Sequence, residues 1–309
     1  MQIIRDLDEF QPESPVVLTQ GTFDGVHLGH QKIITQLVTR AQQIDGKSVL
    51  LTFYPHPRLV LYPEDNELKL ITSIEEKAKL LKSFGLDYLI ILPFTKDLSR
   101  ITPFGFIRDI LVKKLHISTI IIGYDHRFGK NREGSIIEIE KYAQEFNYEV
   151  EQIPEQDIND CIVSSSQVRN ALLSGDLELA NEFMGRPFSI SGIVVTGQQK
   201  GTELGFPTAN LGKLDPFKLI PKKGVYAVKV IIANESHFGM LNIGTRPTFK
   251  LNELAIETHI FDFSDKIYGQ EIEILFIKRW RDERKFENQE QLVRQLNTDN
   301  TEIKAFFKL

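Results

Sequence analysis

Apolar residues follow two different rules along this chain. In the first half, short continuous apolar runs alternate with stretches of helical period. Residues 16–19 and 48–53 read as strands, and 88–92 and 119–122 are Ile/Leu-rich runs without in–out alternation, which predicts strands covered on both faces. Between them, Ile74, Ala78 and Leu81 share one helical face in a segment that Gly85 ends. Phe104, Ile107, Leu111 and Leu115 share another in a segment that opens at Pro103, and residues 135–146 repeat the helical pattern. Strand and helix in alternation predict an α/β unit: a parallel sheet with helices on both faces. Ligands of such sheets bind beyond the carboxyl ends of the strands, near the point where strand order reverses.

The rule changes near Gly185-Arg186-Pro187. Beyond it the period is two. Val225 to Val230 reads as a strand; Ile256, Thr258 and Ile260 face one way and Glu257, His259 and Phe261 the other; Ile272, Ile274 and Phe276 continue the pattern. Glycines and prolines punctuate these runs, which predicts an antiparallel barrel or sandwich. From Asn288 to Phe307 the helical period returns in Leu292, Leu296, Ile303 and Phe306. The expected domains are therefore residues 1–184 and 185–309.

Bulk composition narrows the function classes. At 309 residues, 41% hydrophobic and 26% charged, the chain has apolar material for two cores. Its net charge of -5 does not suit non-specific coating of nucleic acid, and no basic stripe is present. The single cysteine, Cys161, excludes a disulfide within the chain and fits a reducing, cytoplasmic setting. The first ten residues lack the basic start and apolar core of a signal peptide, and no apolar run approaches the ~18 residues that span a bilayer. Oligomeric state is not legible.

Two segments of the first half carry chemistry. The strand at 16–19 runs into Gly21-Thr22-Phe23-Asp24-Gly25-Val26-His27-Leu28-Gly29-His30. At a strand-to-helix turn, His27 and His30 share one face of the first helical turn. Gly29 leaves room for a phosphate to approach the backbone, and the helix N-terminus adds free amides. Such a place can neutralise charge on a nucleotide phosphate; a zinc pair or plain surface histidines compete with that reading. Further on, Ser164-Ser165-Ser166-Gln167-Val168-Arg169 opens a helical pattern. Hydroxyls at a helix start with an arginine one turn later make an anion cradle, or simply an N-cap with a solvated arginine.

Together these segments resemble the two signatures of the His-x-Gly-His nucleotidyltransferase superfamily. The stretches Thr52-Phe53-Tyr54-Pro55-His56-Pro57-Arg58 and Gly123-Tyr124-Asp125-His126-Arg127-Phe128-Gly129 resemble its bacterial FAD synthetase branch. The resemblance implies a Rossmann-like domain in which the FMN phosphate attacks the α-phosphorus of ATP and pyrophosphate leaves, helped by Mg²⁺. It implies ATP contacts at Gly21, Phe23, Asp24, Gly29, Asp125, Ser165, Ser166 and Arg169, with His27 and His30 on the phosphates. Pro55, His56 and Pro57 would lie on the FMN side. His126 stands where the family usually has phenylalanine, and Ser166 where it has threonine.

In the second half, Thr196-Gly197-Gln198-Gln199-Lys200-Gly201-Thr202-Glu203-Leu204-Gly205-Phe206-Pro207-Thr208-Ala209-Asn210 spaces three glycines four apart. Backbone amides of such a loop can wrap phosphates, with Lys200 adding charge, although Gly-Lys-Ser/Thr of a Walker loop is missing. Thr208 and Asn210 point the same way if extended, and their oxygens suit Mg²⁺ held jointly with ATP. Glu257 is either a proton acceptor for an attacking hydroxyl or a glutamate on the wet face of a sheet.

These segments resemble riboflavin kinase over the whole second domain, most distinctively in Gly205-Phe206-Pro207-Thr208-Ala209-Asn210. The resemblance implies that Gly197, Lys200, Gly201, Gly205, Pro207, Thr208 and Asn210 hold Mg²⁺-ATP. It makes Glu257 the general base for the ribityl 5′-hydroxyl, and Arg281 the flavin-side contact within 281–286. Thr202 and Trp280 depart from the usual arginine and aliphatic residue. The expected protein converts riboflavin to FMN and FMN to FAD, using ATP, riboflavin and FMN as small-molecule partners. A chain with one live site, or a flavin-sensing binding protein on the same scaffold, remains as an alternative.

Overall fold

The computed structural model describes residues 1–64, 68–123, 127–130, 133–153, 163–197, 200–247 and 252–309. Asp125, with Tyr124 and His126, lies outside them, as does Cys161. The chain divides into two compact units, Met1–Ser165 and Ser166–Leu309.

The first unit is an α/β sandwich around a parallel sheet of six strands: β1 (Gln2–Ile4), β2 (Val16–Gln20), β3 (Lys47–Tyr54), β4 (Tyr88–Pro93), β5 (Ile117–Gly123) and β6 (Glu149–Ile153), ordered β1-β4-β3-β2-β5-β6. Its helices are α1 (Leu28–Gln43), α2 (Pro57–Leu61), α3 (Ile74–Ser83), α4 (Pro103–Gly105) continuing as a π-helical stretch Phe106–Val112, and α5 (Ile136–Phe146). The continuous apolar strands feed two cores. Val17, Leu50, Leu89 and Ile121 pack with Ile34 and Leu37 of α1 and Leu81 of α3. The intervening Leu18, Leu51, Ile90 and Ile120 pack on the opposite face with Ile107, Leu111 and Ile139. Burying both faces is why these runs show no alternation.

The helix after Pro103 buries Ile107, Leu111 and Leu115 of the expected face and widens it. Lys113 and Leu115 donate to carbonyls five residues back, Arg108 and Ile110. This wider winding puts Phe106, Ile107, Ile110 and Leu111 all into the core, while Phe104 packs against Tyr142 and Phe146 at the rim.

Strand order reverses between β2 and β5, because the chain moves from β2 outward through β3 and β4 before returning to β5. The carboxyl ends of these two strands are Gln20 and Gly123. The turn with the two histidines follows Gln20 directly, at the switch point.

The second unit carries α6 (Ser165–Ser174, whose first residue closes the first unit), α7 (Leu177–Met184), β7 (Phe188–Val195), a one-turn helix α8 (Lys200–Glu203), β8 (Ala209–Gly212), β9 (Gly224–Ile232), β10 (Glu235–Pro247), β11 (Asn252–Ile260), β12 (Glu271–Arg281) and α9 (Gln289–Phe307). Its strands close into an antiparallel barrel ordered β10-β11-β8-β7-β12-β9, so the barrel of the two expected alternatives is the one formed. Closure comes from β12, which pairs with β7 on one side and β9 on the other. Inside, Phe276 packs at 5.5 Å from Phe188 and edge-on at 5.1 Å from Tyr226. Outside, Val225, Ala227 and Met240 pack with Ile303 of α9 and with Phe206 and Phe261. Asn181 of α7 clips the helix to the barrel: its amide donates to the Phe276 carbonyl at 3.0 Å and accepts the Phe188 N–H at 2.7 Å.

Candidate active sites

The turn between β2 and α1 is strained and pinned from several sides. Phe23 and Val26, neither a glycine, sit at φ 46° and 41°. Each such residue costs about 1–3 kcal/mol and persists only where its surroundings over-determine it. Here the Asp24 carboxylate accepts the Ile71 and Thr72 N–H groups at 2.9 and 3.1 Å, and the Gly25 N–H reaches the Thr72 hydroxyl at 3.1 Å. The Lys77 ammonium donates to the Thr22 carbonyl at 2.6 Å, and the Ser165 hydroxyl to the Asp24 carbonyl at 2.9 Å. Gly21 lacks the side chain that would crowd the Phe23 ring, which folds back beside it.

That turn presents the histidines. His27 is the N-cap position of α1 and His30 lies in its first turn, so their rings stack at 3.7 Å between centroids and 21° between planes. The Phe23 ring lies 4.8 Å from His30, and the His27 ring rests against Gly29. Burial lowers His27 to about 4, against the opposing pull of Asp24. His30 falls well below its ordinary value through burial first, then repulsion from His27 and Lys77. Both imidazoles are thus neutral at pH 7, each able to donate one hydrogen bond. Among the described residues neither buried Nδ1 has a hydrogen-bond partner. Among the described residues no group of three or more His, Cys, Asp or Glu is arranged for a metal.

Of the other residues expected here, Asp24 is 2% exposed and its carboxylate is taken up by backbone amides. Ser165, Ser166 and Arg169 share α6, with Arg169 half-buried. Pro55 precedes α2, His56 caps it by accepting the Arg58 N–H at 3.2 Å, and Pro57 is its first residue.

On the barrel, register builds a second constellation. Glu257 of β11 lies directly opposite Asn210 of β8, and on its other side opposite Asn242 of β10. All three side chains therefore share the outer face, opposite to buried Ile256 and Thr258. Asn210 is 7% exposed and its amide lies against Gly197, where a β-carbon would overlap it. The glycine-spaced segment is no plain loop: it makes the single turn of α8, and Gly201 brings that turn onto the Phe206 carbonyl and the Thr208 side chain. Gly205 ends the turn at φ 84°, where a side chain would strain the backbone. The Pro207 carbonyl bonds His259 Nδ1 at 2.8 Å, tying this segment to β11 two residues from Glu257. Lys200 begins α8, and nothing of its side chain is described.

Arg281 is engaged within the barrel. Its Nε and one terminal nitrogen grip the Asp299 carboxylate at 3.0 and 2.5 Å, and the other nitrogen donates to the Asp282 carbonyl. Asp299 is 1% exposed. Lys77, Thr72, His259 and Asp299 escaped sequence reasoning. Only Thr72-Ser73 before Glu76, a capping box now formed by Ser73 and Glu76, marked the first of these places at all.

Comparison with known proteins matches two families to successive parts of the chain. A family model described as FAD synthetase matches residues 9–167, and one described as riboflavin kinase matches residues 184–307. The bifunctional riboflavin kinase/FMN adenylyltransferase of Listeria monocytogenes is 39% identical over 94% of this chain and 92% of its own length. The proteins of that name from Bacillus subtilis and Escherichia coli are 35% and 34% identical, over 96% and 100% of this chain and 94% and 99% of theirs. A crystal structure titled a macrolide-efflux protein from Streptococcus pneumoniae superposes with a TM-score of 0.85 at 30% identity, covering 97% of both chains. Among the described residues no helix of this chain is long and apolar enough to cross a membrane. The chain belongs to the family of bifunctional riboflavin kinases/FMN adenylyltransferases.

Proposed function

We propose that the two activities of this bifunctional flavin-nucleotide enzyme reside in separate sites, with the division between domains at Met184 and Gly185. The barrel phosphorylates riboflavin to FMN; the α/β domain adenylylates FMN to FAD. The observation that carries the assignment is the pairing of Glu257 with Asn210 within the barrel, while the His27–His30 stack is built within the α/β unit. The single cysteine suits work in the reducing cytoplasm.

In the kinase site, Glu257 accepts the proton of the ribityl 5′-hydroxyl as it attacks the γ-phosphorus. The amides of Gly197, Gly201 and Gly205 and the Lys200 charge cover the nucleotide, with Pro207 fixing the approach to β8. Thr208 and Asn210 offer hard oxygen donors beside Glu257, the donor set that Mg²⁺ prefers, and would hold the ion. Bound there, Mg²⁺ offsets charge on the phosphate oxygens. Arg281 bounds the flavin side through its fixed ion pair.

In the adenylylation site, neutral His27 and His30 donate to phosphate oxygens of ATP while the FMN phosphate displaces pyrophosphate. No covalent intermediate is needed, and positioning supplies the rate. Gly21, Phe23, Asp24 and Gly29 shape the turn; Ser165, Ser166, Arg169 and Asp125 serve the nucleotide, and Pro55, His56 and Pro57 the FMN side. The test is direct. Purified protein incubated with riboflavin, ATP and Mg²⁺ yields FMN and then FAD, separated by chromatography. FMN alone, or no flavin nucleotide, overturns the two-site assignment.

A further inference from the structure

Lys77 is an expensive residue for a helix to carry where it does. It occupies the first half of α3, near the positive end of the helix dipole, and is 7% exposed. Burial lowers it to about 8, with Asp24 opposing. A buried ammonium is retained only against partners that repay its desolvation. Among the described residues its hydrogen-bond partner is a single carbonyl, Thr22, which also takes the Thr52 hydroxyl at 3.4 Å. Thr22 is the residue immediately before the strained Phe23, and the charge is felt at His30. A leucine or methionine would fill this part of the core without that cost.

We propose that Lys77 is a positioning residue for adenylyl transfer: its buried ammonium locks the strained turn on the Thr22 carbonyl and sets the stacked His27–His30 pair for the nucleotide phosphates. The inference rests on the adenylyltransferase reading above and adds to it a group that touches neither substrate. The charged and titratable groups around it are Asp24 from the turn and His30 from α1, where His30 also faces His27, with Glu76 on its own helix engaged in capping Ser73. With Lys77 in place His30 stays neutral as the site fills. Without it the turn relaxes and His30 becomes easier to protonate.

The experiment compares Lys77→Met and Lys77→Arg in the full chain, with riboflavin phosphorylation as internal control for folding. In Lys77→Met, kcat for FMN adenylylation should fall on the order of 10²-fold. KM for ATP and FMN should stay nearly unchanged, and the acid limb of kcat should move to higher pH as one of the influences holding His30 down is removed. Lys77→Arg should recover most of the rate. Independently of activity, NMR titration of the histidines should show His30 gaining protons at higher pH in Lys77→Met than in the native chain. Unchanged kcat and pH profile in Lys77→Met, or a His30 titration that does not move, overturns the proposal. Should the methionine variant fail to fold, Lys77→Gln is read against Lys77→Arg in the same way, and equal adenylylation rates in the two overturn it.

Discussion

Glu257 and Asn210 are direct cross-strand neighbours on the outer face of the barrel, one on β11 and the other on β8. Directly opposed side chains lie about 4.5–5.5 Å apart at their β-carbons. A carboxylate and the donor expected to share Mg²⁺-ATP are thus held by two paired strands, not by mobile loops. Glu257→Gln should lower riboflavin phosphorylation by about 10²–10⁴-fold, the usual worth of a general base. Adenylylation of supplied FMN should remain near the native rate. Loss of both reactions in a folded variant would contradict separate sites.

His30→Ala should give the converse. It removes one ring of the 3.7 Å stack and one neutral donor, leaving the barrel untouched. FAD formation should drop by roughly 10²–10³-fold, as for loss of one preorganised donor. FMN should accumulate from riboflavin at the native rate, read by chromatography over time.

Some of this was legible in the chain and some was not, for physical reasons. The two-sided burial of β2 to β5 leaves unbroken apolar runs, and His27 and His30 lie three apart at a strand end, so sheet and histidines were readable. The supports of the histidine turn were not. Asp24 is satisfied by backbone amides of Ile71 and Thr72, and Lys77 by a backbone carbonyl 55 residues away. Backbone partners leave no side-chain signature, and a lysine on an amphipathic helix reads as solvated. Barrel and sandwich share period two; only the double pairing of β12 separates them.

Stability of the α/β unit should fall in mild acid. His27 is held at about 4 by burial, whereas an unfolded chain titrates near ~6.5. Between those values the unfolded chain binds a proton that the folded one refuses, so stability declines as pH falls from about 6.5 toward 4. His30, also lowered by burial, adds to the slope in the same direction. Chemical denaturation of the native chain and of His27→Gln across this range measures the effect. The variant should lose stability less steeply, by up to about 1.4 kcal/mol per pH unit. Parallel slopes would mean that His27 is not held neutral.

Gly197 should not tolerate a methyl group. A β-carbon there would overlap the Asn210 amide, which is buried and has little room to retreat. Gly197→Ala should therefore displace Asn210 and raise KM for ATP in riboflavin phosphorylation, with a rate loss of up to about 10²-fold for an ångström of misplacement. Adenylylation kinetics serve as control. By contrast, the open space around Gly205 makes any effect of Gly205→Ala one of backbone strain at φ 84° alone.

Arg281 and Asp299 allow structure and flavin contact to be separated. Their ion pair is largely buried, with side chains 14% and 1% exposed. Removing one partner of such a pair costs about 3–5 kcal/mol, because the other charge is left buried and alone. Replacing both by apolar residues of similar volume is often neutral. Asp299→Leu should therefore destabilise the barrel strongly in urea, and Arg281→Met combined with Asp299→Leu should recover most of the loss. Kinase assays on the recovered double variant then isolate the flavin role. A raised KM for riboflavin with KM for ATP unchanged supports a contact from Arg281. Native constants for both would assign the arginine to the barrel alone, holding α9 against β12.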